Sequence, residues 1–172
     1  MFNRPDVEVK RPYNAHSRSN IVKLGGLEAF LKTIRRDCEP DAGILVLLDA
    51  ERENVHNPHA LVTDLNRRAQ QVGLPFPVEV TCAVCEYESW FLASLESIRS
   101  KFKELDPTIT FDGDPEQECN AKEWITEHMP HGRAYKETTD QARLTTWLDL
   151  RLAHIRSDSF RMFVSAVERL IA

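Results

Sequence analysis

Long apolar segments are absent from this 172-residue chain. A helix that crosses a bilayer needs about 20 consecutive apolar residues, and no run in this sequence approaches that length. The polar start MFNRPDVEVKRP has no apolar centre of the kind found in signal peptides. We therefore expect a protein without a membrane span that is located in the cytoplasm.

Cysteine is also scarce, because the chain has only four, at irregular spacing. A small secreted domain held together by disulfides would have a denser set, so reduced thiols are expected. The Cys82-Ala-Val-Cys85 pair has neither a second CxxC pair nor a CxxH companion to complete a zinc site. We interpret Cys82 and Cys85 as a core residue and a loop thiol, with zinc as the less favoured alternative. The other two are Cys38 and Cys119.

The chain lacks the positive charge typical of proteins that bind nucleic acid through their overall charge, since its formal net charge is −5. The charge is uneven, however. Residues 1–36 hold eight Lys and Arg against three acids, whereas residues 37–60 hold six acids and one Arg. A basic flank beside an acidic pocket would suit a phosphate backbone held next to a metal ion. Two unrelated solvated surfaces would give the same distribution.

The pattern of apolar residues predicts alternating strands and helices. A short strand is predicted at 7–10, a helix after Gly25-Gly26, a strand at 43–49, a helix at 58–72 and a strand at 78–84. This order is typical of an α/β protein with right-handed crossovers and a mainly parallel sheet flanked by helices. The apolar run at 43–48 is typical of an interior strand that helices cover on both faces.

Acidic residues follow both of the longer predicted strands. Asp49 and Glu51 follow the first, and Glu86 and Glu88 follow the second. Because parallel strands end at the same edge of a sheet, where ligands bind in open α/β folds, we expect these carboxylates to converge. Oxygen ligands of this kind suit Mg²⁺. The alternative is that they only begin solvated loops.

The remainder of the chain is predicted to be mostly helical. An apolar stripe covers 88–103, the loop 105–119 is rich in Asp, Gly and Pro, and further helices are expected at 121–129, 140–154 and 158–171. The last of them has Ser157 as a suitable N-cap. We expect an α/β core at 1–104 and a loop and helical extension at 105–172.

Several segments resemble a known family. Asp49-Ala-Glu51 is similar to the Asp-x-Asp element of Toprim domains, with Glu in the second acidic position. The segment CEYESWFLAS at 85–94 resembles the glutamate-aromatic-glutamate-x-Trp block of an uncharacterised Toprim-like family, related to the Toprim domains of OLD-type nucleases. That family is catalogued as a domain of unknown function and is often encoded beside AAA-type ATPases. The order continues with segments at 121–124, 135–141, 149–150 and 157–160.

The resemblance implies a Toprim-like, Rossmann-like sheet and a metal-dependent nuclease. Mg²⁺ or Mn²⁺ would be held by Asp49 and Glu51 as catalytic ligands, with a second ion near Glu86 or Glu88, and would promote hydrolysis of a nucleic-acid phosphodiester. An AAA-type ATPase is the implied partner. Candidate phosphate-binding residues are Arg11, Lys122 and Arg161.

One departure from the resemblance leaves other functions open. Toprim domains supply a further glutamate after their first strand, and the resemblance leads us to expect that this chain lacks it, through a misassigned start, a truncation or decay of the site. A non-catalytic docking or regulatory subunit of an ATPase complex is therefore the alternative. A receiver-like signalling domain is a third possibility, but it needs an acidic pair after the first strand and a Lys after a late strand, and neither is evident.

Overall fold

A computed structural model describes residues 4–15, 17–50 and 57–172. Within this part of the chain, nine α-helices and two strands form in the order below. None of the helices described is both long and apolar enough to cross a membrane. The elements are α1 (Arg18–Val22), α2 (Gly26–Ile34), β1 (Ile44–Ala50), α3 (Pro58–Gln71), β2 (Val78–Val84), α4 (Ser89–Ala93), α5 (Leu95–Arg99), α6 (Ala121–Glu127), α7 (Ala142–Thr146), α8 (Leu150–Arg156) and α9 (Asp158–Leu170).

The chain forms two compact units. The first contains the described residues of 1–48 together with 57–82 and 163–172, and the second contains those of 49–56 together with 83–162. The boundary between the units falls within both strands and within α9. The domains expected at 1–104 and 105–172 stay a prediction.

The first unit holds most of the parallel β1 and β2 pair. The pair begins with a hydrogen bond from the Ile44 N–H to the Pro77 carbonyl, 3.0 Å long. On the other side of β2, the Asn66 side chain of α3 donates to the Val80 carbonyl and accepts from the Val80 N–H, each at 2.8 Å. The Asn66 amide thus takes the hydrogen bonds that a neighbouring strand would make.

The expectation of a strand at 7–10 was wrong, because this segment is exposed and has no regular structure. Val9 is 90% exposed, so the alternation of Val7 and Val9 with charged residues had no buried face to match. The interior position expected for β1 was also wrong. One face of β1 is buried, while Leu47 on the other face is 38% exposed. The described sheet has two strands, so β1 has one neighbour instead of two.

A partly buried ion pair joins two helices of the first unit. The guanidinium of Arg68, on α3, donates to both carboxylate oxygens of Glu28, on α2, at 2.7 and 2.8 Å. It also donates to the carbonyls of Val22 and Lys23 at the end of α1. The Arg68 hydrogen bonds lower the pKa of Glu28 from 4.5 to about 2. One side chain therefore ties together the ends of three helices.

The core of the second unit is built from helices that are shorter than expected. The apolar stripe at 88–103 forms two helices that break at Ser94, which is fully buried and whose hydroxyl accepts from the Asp149 N–H at 2.6 Å. The helix expected at 140–154 is replaced by a π-helical turn at Glu137–Gln141 followed by α7 and α8. The N-cap predicted for α9 is confirmed, since the Ser157 hydroxyl accepts from the Phe160 N–H at 3.0 Å.

The expectation of reduced thiols was wrong for one pair of cysteines. Cys85 and Cys119 form a disulfide, with their Cα atoms 5.0 Å apart. Sequence spacing did not indicate this pair because the loop at 105–119 returns the chain to the end of β2 over a separation of 34 residues. Cys82 is buried and takes no part in a disulfide, as expected for a core residue.

Candidate functional site

The carboxyl ends of the two strands lie side by side in the second unit. The Cys85 N–H donates to the Ala50 carbonyl at 3.1 Å. Cys85 has a φ of 62°, a left-handed conformation that is uncommon for a residue with a side chain. This conformation turns the chain sharply after β2 and begins the segment that carries Glu86 and Glu88. The common edge expected from the sequence is therefore present.

Glu88 is the most deeply placed acid at this edge, with no solvent exposure. Its Oε1 accepts hydrogen bonds from the Tyr135 hydroxyl at 2.7 Å and from Nε2 of Gln141 at 3.0 Å. Its Oε2 has no hydrogen-bond partner among the residues described. A buried carboxylate oxygen without a hydrogen bond is costly, so a cation or a hydrogen-bond donor would complete this environment.

Lys122 supplies positive charge to the same place. Its Nζ lies 2.5 Å from Oε1 of Glu137, 3.6 Å from Oε1 of Glu86 and 3.8 Å from Oε2 of Glu88. Its backbone N–H also donates to Oε2 of Glu86 at 3.2 Å. Burial alone would lower the pKa of Lys122, but the hydrogen bond to Glu137 and the charges of Glu88 and Glu86 outweigh it and raise that pKa.

Asp49, at the end of β1, belongs to the same electrostatic environment. Burial raises its pKa from 3.8 to about 6, and the negative charges of Glu88 and Glu86 act in the same direction. The charge of Lys122 and a hydrogen bond from the Tyr87 backbone oppose the shift. Burial also raises the pKa of Glu86. The carboxylates therefore repel one another, and Lys122 compensates only part of that repulsion.

The segment 133–141 is held in position by a second buried acid. Asp140 is fully buried and accepts from the guanidinium of Arg133 at 2.6 Å and from the Lys136 N–H at 2.8 Å. Arg133 also donates to Glu104 at 2.6 Å. These contacts fix the loop and the π-helical turn of this segment. The segment carries Tyr135 and Gln141, which donate to Glu88, and Glu137, which pairs with Lys122.

The structure brings together Asp49, Glu86, Glu88 and Lys122 among the predicted site residues. Glu51 lies outside the described residues. Arg161 donates to the carbonyls of His154 and Ile155 at the end of α8 and pairs with Asp158. Arg11 lies in the exposed amino-terminal segment of the first unit. The metal-binding, catalytic and phosphate-binding roles assigned to these residues stay predictions.

Sequence reasoning missed Tyr135, Glu137 and Gln141 as parts of the site. A helix was expected to begin at 140, and a loop residue has no periodicity that marks its contacts. The available signal was the segment YKETTDQ at 135–141, which belongs to the set of motifs that carries the family resemblance.

The cluster consists of Asp49, Glu86, Glu88, Glu137 and Lys122. Its donor atoms are carboxylate oxygens, which suit a hard divalent cation such as Mg²⁺ or Mn²⁺. In the part of the chain that the structure describes, no group of three or more His, Cys, Asp or Glu side chains has the geometry to hold a metal ion. Instead, the ammonium of Lys122 lies between Glu86, Glu88 and Glu137.

The fold and the site define an α/β protein with a carboxylate and lysine cluster where two parallel strands end. The chain belongs to the family described as "Domain of unknown function (DUF4276)", whose model matches residues 8–168. The resemblance to a family of unknown function is thus confirmed, whereas the relation of that family to Toprim domains stays a prediction. No curated protein and no solved structure matches this chain.

Proposed function

We propose that this protein is a divalent-metal-dependent, Toprim-like hydrolase of nucleic-acid phosphodiesters. The observation that carries this proposal is the environment of Glu88. Its carboxylate is fully buried, one of its oxygens has no hydrogen bond among the described residues, and its charge helps to raise the pKa of Asp49. A cluster of repelling carboxylates with an unsatisfied oxygen is the electrostatic environment in which a divalent cation binds favourably.

Asp49, Glu86 and Glu88 would hold the ion together with Glu51. When bound, Mg²⁺ or Mn²⁺ would polarise the phosphoryl group and activate a water molecule. The chemistry of the donor set suits this role because it consists of carboxylates, and because Mg²⁺ needs only a few protein ligands beside water and substrate oxygens.

The protein's own side chains would supply orientation and charge. Tyr135 and Gln141 fix one oxygen of Glu88, which leaves Oε2 facing the cluster. Lys122 places a positive charge beside the carboxylates, where it would attract the phosphate of a substrate. Glu86 holds the backbone of Lys122 in place.

The test is cleavage of DNA and RNA in the presence of Mn²⁺ or Mg²⁺. The wild-type chain is compared with Asp49→Asn, Glu88→Gln and the control Glu127→Gln, which removes an exposed acid from α6. We expect metal-dependent cleavage by the wild type and the control and its loss in the other two variants. Cleavage that survives in Asp49→Asn, or an inactive wild type on both substrates and with both metals, would contradict the proposal.

The alternative is a non-catalytic docking or regulatory subunit of an ATPase complex. The observation that favours it is that Lys122 already pairs with Glu86, Glu88 and Glu137, so part of the negative charge is compensated without a metal ion. The cleavage assay is therefore repeated with any AAA-type ATPase encoded beside this protein. Binding of that ATPase by both the wild type and Asp49→Asn, without cleavage by either, would favour the docking function.

A further inference from the structure

Lys122 is the one described cation that contacts three carboxylates of the cluster. Its Nζ lies within 4 Å of Glu86, Glu88 and Glu137, and its side chain is 28% exposed. Placing a charged amine in this partly buried position is unfavourable unless negative charges compensate for the lost water.

The helix that carries Lys122 does not explain its position. Lys122 lies in the first turn of α6, where the helix dipole disfavours positive charge. The local sequence therefore gives no stabilisation to an ammonium here. The carboxylates of the cluster do, which indicates that Lys122 serves the cluster and not the helix.

We propose that the Lys122 ammonium is the resident cation of this site and that a divalent ion binds by displacing it. This inference deepens the proposed function and rests on it for the identity of the competing ion. An ion on Oε2 of Glu88 would repel an ammonium 3.8 Å from the same atom, so the two cannot share that carboxylate favourably.

Glu137 gives the displaced ammonium a second partner. It is the nearest carboxylate to Nζ, at 2.5 Å, and its side chain is 56% exposed, whereas that of Glu88 is fully buried. The flexible stem of lysine can move toward Glu137 while the backbone N–H of Lys122 stays bonded to Glu86. The ammonium of Lys122 thus occupies the site in the absence of metal and moves outward as the metal ion enters.

Calorimetric titration with Mn²⁺ tests the competition. Lys122→Met removes the ammonium, and Lys122→Arg retains a positive charge. The control Lys136→Met removes an exposed lysine from the neighbouring segment.

Because occupancy by the ammonium reduces the apparent affinity for the ion, we expect Lys122→Met to bind Mn²⁺ about tenfold more tightly than wild type. Lys122→Arg should not gain this affinity, and Lys136→Met should bind like wild type. Mn²⁺ binding by Lys122→Met that is equal to or weaker than wild type overturns the inference while leaving the proposed function intact.

A measurement without metal separates the two proposals if no variant binds Mn²⁺. In EDTA, Lys122→Met should lower the melting temperature, and adding Glu88→Gln to it should restore part of the loss, because the buried carboxylate then needs no counter-charge. Lys122→Arg, which keeps the charge, is the folded reference if Lys122→Met does not fold. Purely additive effects of the two substitutions would overturn the resident-cation inference. Binding of Mn²⁺ by none of the proteins, with the coupling present, would overturn the proposed function and the competition but retain the role of Lys122 as counter-ion.

Discussion

The Nζ atom of Lys122 lies 3.8 Å from Oε2 of Glu88, a carboxylate oxygen without solvent exposure or a hydrogen bond among the described residues. This separation is too long for a hydrogen bond but short enough for strong electrostatic attraction in a partly buried setting. Glu88 therefore keeps one unsatisfied oxygen even with a lysine nearby. The stability and the ion-binding properties of the second unit both depend on how that oxygen is compensated.

Replacing Asp49 should stabilise the metal-free protein at neutral pH. Its folded pKa of about 6 lies above the ordinary value of 3.8, so the contribution of Asp49 to stability is greatest below about pH 4 and is lost as the pH rises through 6. Asn stays neutral. In EDTA at pH 8, Asp49→Asn should be more stable than wild type by on the order of 2 kcal/mol, and the difference should vanish near pH 4. Urea unfolding at several pH values measures it, and a constant difference would contradict the assignment.

The ion pair between Glu28 and Arg68 should contribute to acid stability. The pKa of Glu28 is lowered to about 2, so its stabilising effect is complete above about pH 4.5 and disappears as the pH falls toward 2. Because Glu28 is partly exposed, water screens part of the interaction, and we expect Glu28→Gln to cost about 1 kcal/mol at pH 7. Acid-unfolding curves should converge for the two proteins near pH 2. Equal stability at pH 7 would show that the pair contributes nothing.

Removing the Tyr135 hydroxyl should weaken the second unit. It donates to the buried Glu88, and the loss of a hydrogen bond to a buried charged group typically costs about 1.5–3 kcal/mol. The matched control is Tyr87→Phe, which removes a more exposed bond between the Tyr87 and Thr145 hydroxyls. Urea unfolding should show a larger loss for Tyr135→Phe than for Tyr87→Phe. The reverse order would exclude a structural role for the contact with Glu88.

The Cys85–Cys119 disulfide should be detectable by counting thiols. Under denaturing, non-reducing conditions, a thiol reagent should modify Cys38 and Cys82 only, whereas all four cysteines should react after reduction. Cys119→Ser should lower the stability of the oxidised protein by about 2–4 kcal/mol, since the bond constrains a long loop in the unfolded chain. Modification of four thiols without a reductant would contradict the pairing.

Much of the fold could be predicted from the sequence where the signal is local. The runs that form β1 and β2, the Pro58 start of α3 and the Ser157 cap of α9 all depend on residues within a few positions of one another. The pairing of strand ends also followed, because short helical crossovers favour parallel strands.

The features that were predicted wrongly or not at all depend on contacts between residues far apart in the sequence. Val7 and Val9 alternate like a strand, but no described strand lies beside them, and strand formation depends on that neighbour. The break at Ser94 depends on a hydrogen bond from Asp149, and the Cys85–Cys119 bond depends on a returning loop. Likewise, Glu137 reaches Lys122 only through the turn that Asp140 holds. Sequence patterns carry little information on contacts of this kind.

Thermal unfolding with and without Mn²⁺ tests most directly the claim that these carboxylates bind a divalent ion. An ion that binds only the folded protein stabilises it, so at a hundredfold excess over its dissociation constant the wild-type melting temperature should rise by roughly 5–10 °C. Asp49→Ala and Glu88→Gln should show little or no rise, while the control Glu127→Gln should respond like wild type. An equal rise in all four proteins would place the ion elsewhere, and no rise in the wild type would contradict a metal site at the strand ends.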